Sequence, residues 1–592
     1  MLKNLNKNDR LFIALMGAAL LYYIVFLFTF PYLYDESYYV TIPHRIIKGD
    51  SLISEEWHLS QFSSVFTFLP VLLWTTLTGS TDGIIVFLRC VYLLLHTCVA
   101  VIVYKSFRRY SVWAVFAALI FYTQTPYRLL AVSYNSVFVL SLLLFTLCLL
   151  KIYGSPDVPK AYYIVTGIFF GCCCVCNPLF VLSLLVYFTI GFVRLLLKLH
   201  SSKKTCQKYK SSADPLFSKK ALLYSFLGTL FVALITLLYF FLTGGTFSSI
   251  REELSCMLSS SEYALVSGNL KWKLLATLEY FSTISLKMPF LIPLLFTALI
   301  FDKKRKNNIH RCIYLAASLI IATVYIVGIV LYASYNTCAF ALPFAVVSVT
   351  CYILTNNKNK PLFYCMWLVC ALAAVLQYTA ANTHLTSVSI VLSVSNVAGV
   401  LFAKDLFSEL SAEDDASKKK TAQIFCRTAV CIGLCFQLIF HVIIIQYDQL
   451  PKEKATAAAD GPYAGICMTE KQYTQYCAAI SDLNTIKERS SPDDPVLIAT
   501  YHNWMYLELD RPYSVYTTWY RGRLIYESLI LYYEQNPHKI PKYIYVDERD
   551  YYNDPDPRGV DINFYTIDEM FSYTEEKLEG GILLTVTDYK FD

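Results

Sequence analysis

Fourteen stretches of mostly apolar residues, separated by short polar segments, divide the first 446 residues of the chain. An α-helix needs about 20 apolar residues to cross the hydrocarbon core of a bilayer, and most of the stretches approach that length. The pattern therefore predicts a polytopic α-helical membrane protein. The stretches are 11–30, 63–79, 83–104, 112–125, 129–150, 161–176, 178–198, 221–243, 281–301, 311–332, 337–355, 361–378, 386–403 and 422–446.

The basic loops indicate how many stretches cross, because Lys and Arg collect on the cytoplasmic side of membrane proteins. If the N-terminus is cytoplasmic and all fourteen stretches cross, the loop 105–109 and every later basic loop lie outside. The stretch 63–79 is short, begins with polar residues and is interrupted by Pro70, so we expect that it does not cross. The other thirteen stretches then form about 13 transmembrane helices. With this number of crossings, the N-terminus and all basic loops lie in the cytoplasm. Residues 31–82 and the tail after 446 lie outside.

The tail changes to mixed polar and aromatic sequence. Buried strands are predicted at 495–500, 542–546 and 581–587, and helices with apolar stripes at 469–488 and 522–535. Alternating strands and helices indicate a small α/β extracytoplasmic domain, so we divide the chain into a transmembrane domain, 1–446, and this domain, 447–592.

The tail has no glycine-rich phosphate loop and no G-x-S-x-G or HExxH motif, and we expect no separate chemistry in it. One group of its aromatic and polar residues fits either a sugar-facing surface or ordinary core packing. These residues are His502, Asn503, Trp504, Trp519 and Arg521.

Composition supports the membrane assignment, since 56% of the residues are hydrophobic and only 16% are charged. The net charge of +6 does not indicate nucleic-acid binding, because the basic residues lie in short loops that set topology. The run 172–176 contains four cysteines without an accompanying His or acid, and we interpret it as helix packing instead of a metal site. Cys467 and Cys477 lie in the tail, where an oxidising compartment would allow them to pair.

A polar stretch, residues 31–62, follows the first apolar run and contains the acidic pair Asp35 and Glu36. The pair lies close behind Phe30, where the apolar run ends, so we expect both carboxylates at the membrane surface. A carboxylate in that position is suited to act as a general base or to bind a cation. The alternative interpretation is an ordinary polar start of a loop.

Several short motifs follow this pair in a fixed order. Gly49 and Asp50 close the helix after it, PVLLW occupies 70–74, TGSTDG follows, and Arg89 stands at the head of the next helix. In order and spacing, over about the first 200 residues, the chain resembles the GT-C superfamily of membrane glycosyltransferases. It is most similar to the aminoarabinose-transferase and protein O-mannosyltransferase branch. Thirteen spans, juxtamembrane helices in the first outer loop and an outer C-terminal domain also resemble that branch.

The resemblance implies an inverting glycosyltransferase that moves a hexosyl or pentosyl group from a polyprenyl-phosphate donor to a cell-envelope glycan, lipid or protein on the outer face of the membrane. Asp35 is then the catalytic base, and Glu36 supports it or takes the role itself. Related enzymes often carry a further acid where this chain has Tyr134 and Asn135, so no metal-ligand set is predicted and a divalent cation stays an open possibility. The candidates for substrate or phosphate binding are His58, Gln61, Arg89, Arg128, Asn135, Lys271 and Lys273.

Two other classes of function fit the same spans. A transporter or flippase of lipid-linked sugars would carry charged or Gly/Pro-broken helices near the midplane and show repeat symmetry between its halves. Asn177-Pro178 breaks one helix pair, but no Asp, Glu or Lys is expected at mid-membrane and no repeat is present in the sequence. A catalytically silent scaffold of the same fold is disfavoured by the presence of both acids. The sequence fixes neither the sugar and acceptor nor the oligomeric state.

Overall fold

The computed structural model confirms a mostly helical chain with a small sheet region near its C-terminus. It describes residues 6–29, 35–58, 60–125, 129–155, 158–202, 215–245, 275, 290–304, 306–332, 341–380, 384–411, 424, 428, 455–500, 502–519, 525–547 and 566–591.

Helices follow the apolar stretches because an isolated backbone in a bilayer must satisfy its hydrogen bonds internally. Within the described ranges, eight helical segments are long and apolar enough to cross a membrane, namely those that contain α1, α3, α4, α6, α9, α11, α13 and α14. The helices before the tail are α1 Lys7–Leu27, α2 Asp35–Ile47, α3 Val65–Thr78, α4 Ile84–Phe107, α5 Val112–Tyr122, α6 Tyr134–Tyr153, α7 Lys160–Cys176, α8 Val181–Ser202, α9 Lys219–Leu242, α10 Leu291–Phe301, α11 Asn308–Tyr332, α12 Ala341–Leu354, α13 Leu368–Ala380 and α14 His384–Leu410.

The first and fourth helices define two opposite ends of the bundle. At one end the backbone of Phe28, just after α1, accepts a hydrogen bond of 2.7 Å from the backbone N–H of Cys467 in the tail. At the other end Asp9 accepts hydrogen bonds from Tyr104, at 2.6 Å, and from Arg108 near the end of α4. At the tail end, the backbone N–H of Gly83, just before α4, donates to the carbonyl of Gly461 at 3.0 Å. Both helices therefore run from the tail to the opposite end.

The predicted basic loops meet at the end opposite the tail. The cationic groups of Arg109 and Lys404 both lie against the ring of Tyr110, at 4.8 Å and 4.9 Å from its centre. Arg311 and Lys358 both pair with Glu409. Loops that are hundreds of residues apart thus share one face, as the positive-inside argument requires. Which compartment this face meets stays a prediction.

The stretch 63–79 forms α3, which continues through Pro70, so the expectation that this proline breaks the segment is wrong. A proline removes one intrahelical hydrogen bond, and the apolar residues on both sides sustain the helix. Both ends of α3 lie towards the tail. Ser64 bonds to the hydroxyl of Tyr239 at 3.0 Å, beside the outer-loop cluster around α2, and Thr81 donates to the carbonyl of Leu507 at 3.2 Å. These contacts support the prediction that this segment does not cross, and the count of thirteen spans stays a prediction.

The tail forms a four-stranded sheet with helices packed against it. The strand order is β3-β4-β6-β5, with β3 and β4 parallel and the other pairs antiparallel, and β1 pairs with β2 in a separate ribbon. The predicted strands correspond to β3, β4 and β6, and the predicted helices to α15 and α17. The elements are β1 Ala455–Ala457, β2 Cys467–Thr469, α15 Glu470–Arg489, β3 Val496–Ala499, α16 Trp504–Leu509, α17 Tyr526–Gln535, β4 Tyr543–Val546, β5 Phe571–Lys577 and β6 Ile582–Tyr589.

The core of the tail includes residues from the first outer loop. Val40 of α2, Trp57 and Ile85 belong to the same buried cluster as Tyr516 and Tyr532. The backbone N–H of Trp57 also donates to the carbonyl of Tyr516 at 2.8 Å. The tail is therefore packed as one body with the loop that precedes α3, and the division into 1–446 and 447–592 stays a prediction.

A buried cation at the end of α2 connects these parts. Arg45 is fully buried, and its Nε donates to Asp50 at 2.7 Å while its Nη1 donates to Glu56 at 2.8 Å. Its Nη2 donates to the carbonyls of Glu55, at 2.7 Å, and Val515, at 3.2 Å. The guanidinium thus holds the first outer loop and the tail at the same time.

A second cation, contributed by the tail, completes this network. Lys539 is buried and its ammonium lies 2.6 Å from Asp50 and 3.2 Å from Glu55. Burial alone would lower the pKa of Arg45, but Asp50 and Glu56 outweigh it and raise that pKa well above its ordinary value. Burial raises the pKa of Glu56, because desolvation exceeds the attraction of the guanidinium.

The cysteines are free thiols wherever the structure describes them. Cys467 lies in β2 and Cys477 on the exposed surface of α15, and the pairing that an oxidising compartment would allow is not formed. The helix that begins at Glu470 separates the two residues. Cys173 and Cys176 pack in the membrane core, in agreement with the packing interpretation of that run.

Replacing Arg45 by Met should destabilise the protein strongly, because Asp50 and Glu56 would stay buried without this cation. Breaking a buried ion pair in this way costs about 3–5 kcal/mol. Thermal unfolding in detergent should therefore begin well below the wild-type temperature. Arg109→Met, which removes an exposed arginine, is the matched control and should leave the transition unchanged. Equal transitions for the two variants would contradict the proposed importance of the network.

Buried His44 should make stability depend on pH. Its ring bonds to the hydroxyl of Tyr513 at 3.0 Å, and burial lowers the pKa of His44 to about 4. Between pH 6.5 and 4 the unfolded chain therefore binds this proton before the folded protein does. The free energy of unfolding should fall with falling pH, by at most about 1.4 kcal/mol per pH unit. Thermal unfolding of wild type and His44→Asn across this window measures the effect, and parallel profiles would contradict it.

Candidate functional site

The acidic pair forms the first turn of α2. Within the polar stretch 31–62 this helix runs from Asp35 to Ile47, in agreement with the helix expected before Gly49 and with the juxtamembrane helices expected in the first outer loop. Carboxylates are favourable at a helix N-terminus, and His44 and Arg45 occupy the last turn, where positive charge is favourable. Local electrostatics therefore favour a helix in a stretch with little apolar periodicity.

Glu36 forms a buried ion pair with Arg89 of α4. The Nε and Nη2 atoms of Arg89 donate to one carboxylate oxygen of Glu36 at 2.9 Å and 2.6 Å, and both side chains are almost fully buried. The Nη1 atom donates to the carbonyls of Leu27 and Thr29, each at 2.7 Å. Carbonyls at the end of a helix lack intrahelical partners, so Arg89 joins the end of α1 to the start of α2.

A small open cleft borders this ion pair. Glu36, Arg89 and Tyr39 form one side, and residues 130–132 form the other. A neighbouring cleft shares Tyr39 and Val132 and is lined mostly by hydroxyl-bearing side chains, namely those of Ser63, Ser64, Thr67, Ser133 and Tyr134. The combined cleft, here called the α2 cleft, therefore has a charged end and a hydroxyl-lined end, with Tyr39 between them.

Asp35 lies on a different side of α2 from Glu36. Adjacent helix positions are about 100° apart, while positions three and four further on share a face. Asp35 therefore shares a face with Tyr38 and Tyr39, and it is half-buried, whereas Glu36 is buried against Arg89. The two acids of the pair have different environments.

His58 lies beside this face of α2. Its Nδ1 atom is 2.6 Å from the hydroxyl of Ser60, and its ring packs against Tyr38, with ring centres 5.1 Å apart. Gln61 accepts a hydrogen bond of 2.6 Å from the backbone of Ile53 and is buried, which gives it a role in holding the outer loop. Asn135 is buried in the first turn of α6.

The structure thus brings Glu36 and Arg89 into contact and places His58 near the face of α2 that carries Tyr38. Arg128, Lys271 and Lys273 lie outside the described residues. In the part of the chain that is described, no group of three or more His, Cys, Asp or Glu side chains is arranged to hold a metal ion.

Two sets of residues were not identified from the sequence. Tyr39, Ser63 and Ser64 line the α2 cleft, and Arg45 with its partners fixes α2 against the tail. The dense alternation of acids and bases between Arg45 and Glu56 was the available signal for the network. Small hydroxyl side chains at the start of an apolar stretch gave no comparable signal for the cleft.

The chain has matches among solved structures but none among protein families or curated sequences. No protein-family model matches the chain, and no curated protein matches it significantly. A crystal structure of the Archaeoglobus fulgidus oligosaccharyltransferase, tethered to an acceptor peptide, is 12% identical with a TM-score of 0.46, over 98% of this chain and 74% of that one. A structure of AglB from the same organism, with an inhibitory peptide and a dolichol-phosphate, gives 12% identity and a TM-score of 0.44 over 99% and 74%.

ArnT from Cupriavidus metallidurans, bound to undecaprenyl phosphate, is 13% identical with a TM-score of 0.37, over 97% of both chains. These proteins are GT-C superfamily membrane glycosyltransferases, the superfamily that the sequence resembles. With identities of 12–13% and TM-scores below 0.5, no residue role or activity is transferred from them to this chain.

Arg89→Met should destabilise the protein more than the double variant Arg89→Met/Glu36→Gln. The single change leaves Glu36 buried without its cation, and the second change removes that charge. The interaction free energy of two residues in direct contact, which is the difference between the double variant and the sum of the single variants, is usually about 0.5–3 kcal/mol. Thermal unfolding of wild type, both single variants and the double variant in detergent measures it. Strictly additive effects would show that the pair does not act as a unit.

Proposed function

We propose that the protein is an inverting membrane glycosyltransferase that moves a sugar from a polyprenyl-phosphate donor to an acceptor on the outer face of the membrane. The observation that carries the proposal is the acidic first turn of α2, which follows the end of α1, is held by Arg89 and borders the α2 cleft. The resemblance of the first 200 residues to the GT-C superfamily supports the same activity.

Asp35 is the group that we assign as the general base. A sugar linked to a lipid phosphate already has a good leaving group, so the enzyme must mainly take the proton from the acceptor hydroxyl. The side chain of Asp35 is half-buried in the first turn of α2, so part of it is accessible to a ligand. Direct attack with one base inverts the anomeric centre, as in single-displacement glycosidases.

Glu36 and Arg89 act as positioning residues in this proposal. The Nε and Nη2 groups of Arg89 both donate to Glu36, and its Nη1 group donates to the carbonyls at the end of α1. A guanidinium engaged in this way has little capacity to bind a phosphate, so we assign the donor phosphate to other cations. His58 is the described candidate, together with Arg128, Lys271 and Lys273.

The orientation and the partners follow from the same proposal. The N-terminus and the basic loops face the cytoplasm, and the tail and the α2 cleft face outwards. The acceptor is a cell-envelope glycan, a lipid or a protein. A transporter of lipid-linked sugars is the alternative that the experiment below separates from a transferase.

Asp35→Asn should reduce transfer by about 10²–10⁴-fold, the contribution of a positioned general base. The measurement is transfer from a panel of polyprenyl-phosphate sugars to membrane acceptors by the reconstituted protein. Glu36→Gln should lose less turnover and more thermal stability, since its carboxylate pairs with Arg89. The matched control is Asp493→Asn, which changes an exposed acid of the tail.

Full turnover by Asp35→Asn would reject Asp35 as the base, and loss of turnover in Glu36→Gln alone, with folding intact, would move the role to Glu36. Movement of intact lipid-linked sugar across the membrane without transfer would reject the transferase in favour of the transporter.

A further inference from the structure

We propose that the aromatic rings of Trp519, His58 and Tyr134 form a binding site for a carbohydrate ring beside Asp35. This inference deepens the proposed function, because it assigns the acceptor side of the same site. The three rings come from three separate segments, namely the tail, the first outer loop and the start of α6, and all three are half-buried. We refer to them as the aromatic platform.

Tyr38 of α2 is the centre on which the platform is built. The ring of Tyr38 is fully buried, with its centre 4.6 Å from the ring of Trp519 and 5.1 Å from that of His58. His58 in turn lies 5.8 Å from Trp519 and 6.5 Å from Tyr134, measured between ring centres. Rings at these separations make tilted and edge-to-face contacts, which fix their orientation.

The platform adjoins the candidate base through the geometry of α2. Tyr38 follows Asp35 by three residues, so both lie on one face of the helix, about one turn apart. Tyr39, four residues after Asp35, contacts Tyr134 with ring centres 5.9 Å apart. A ligand on the platform is therefore within reach of Asp35 and at the hydroxyl-lined end of the α2 cleft.

The tail positions Trp519 through polar contacts with α2. The hydroxyls of Thr41 and Thr518 are 2.7 Å apart, and the hydroxyl of Ser37 donates to the side chain of Asn503. The backbone N–H of Trp519 donates to the hydroxyl of Thr517 at 3.2 Å. Because all of these groups except Trp519 are buried, the indole is held at the edge of the interface between α2 and the tail.

The chemistry of the platform favours a sugar over a lipid chain. Aromatic faces cover the apolar C–H faces of sugar rings, while nearby polar groups bind the hydroxyls. Ser63, Thr67 and Ser133 line the cleft next to Tyr134 and supply such groups. A polyprenyl chain is apolar along its whole length and has no groups that match these hydroxyls.

Direct binding tests the proposal without any need for turnover. The full-length protein is labelled with 5-fluorotryptophan at its seven tryptophans and reconstituted in lipid nanodiscs, and Trp519→Phe assigns the signal of Trp519. Methyl glycosides of common hexoses and pentoses are the probes. We expect them to shift the ¹⁹F signal of Trp519 in a saturable way. The signal of Trp74, a half-buried indole stacked on Phe87 outside the platform, should not move.

Two results would overturn the proposal. Absence of a Trp519 shift with every glycoside would exclude a carbohydrate site, and a shift produced by farnesyl phosphate instead of glycosides would assign the platform to the lipid. Asp35→Asn should retain the glycoside response. If glycosides shift the Trp519 signal but no donor supports sugar transfer, the transferase is rejected and the carbohydrate site is kept. If sugar transfer occurs but no glycoside shifts the Trp519 signal, the carbohydrate site is rejected and the transferase is kept.

Kinetics provide a second test once a donor is found. Trp519→Leu should raise the acceptor KM by about tenfold, which corresponds to the loss of one aromatic contact, while kcat changes little. Trp519→Phe keeps a ring and should lie between this variant and wild type. Trp74→Leu is the control and should match wild type. An unchanged acceptor KM in folded Trp519→Leu, or a loss confined to kcat, would contradict a binding role.

Discussion

The positive charge of Arg45, buried without exposure to water, constrains the rest of the outer region. A charge in that position is tolerated only when it is paired and fully hydrogen-bonded. Here the partners come from the turn after α2, from the loop at Glu55 and Glu56, and from the tail, which supplies the carbonyl of Val515. The tail also supplies Lys539, which pairs with Asp50. The first outer loop and the C-terminal domain must therefore assemble together, because neither satisfies these charges alone.

This assembly holds α2 through the side that contacts the tail. Another side of α2 borders the α2 cleft. Thr41, His44 and Arg45 contact the tail, while Glu36 points towards Arg89 and the end of α1. The helix is consequently fixed between the extramembrane domain and the membrane bundle. A change in the packing of the tail would be transmitted to the acidic first turn through a rigid element, with no need for the tail to carry chemistry of its own.

The sequence alone was sufficient for the features that depend on local pattern. Apolar stretches located the helices, basic loops such as those at Arg109 and Lys358 were correctly grouped on one face, and three tail strands were found from their apolar runs. Contacts between distant residues were not accessible, because no pattern relates Asp50 to Lys539. The strand β5 was also missed, since most of its residues are exposed at the edge of the sheet and it lacks a buried run.

The acidic pair illustrates why adjacency in sequence is weak evidence for a shared role. On a helix, neighbouring side chains diverge by about 100°, so a pair that looks like one unit is divided between two environments. Glu36 is paired with a buried arginine and contributes to the connection between α1 and α2. Asp35 is half-buried and shares its face with Tyr38, next to the aromatic platform. Helix geometry therefore places Asp35 and Glu36 in different environments, and in our proposal the substrate binds on the side of α2 that carries Tyr38.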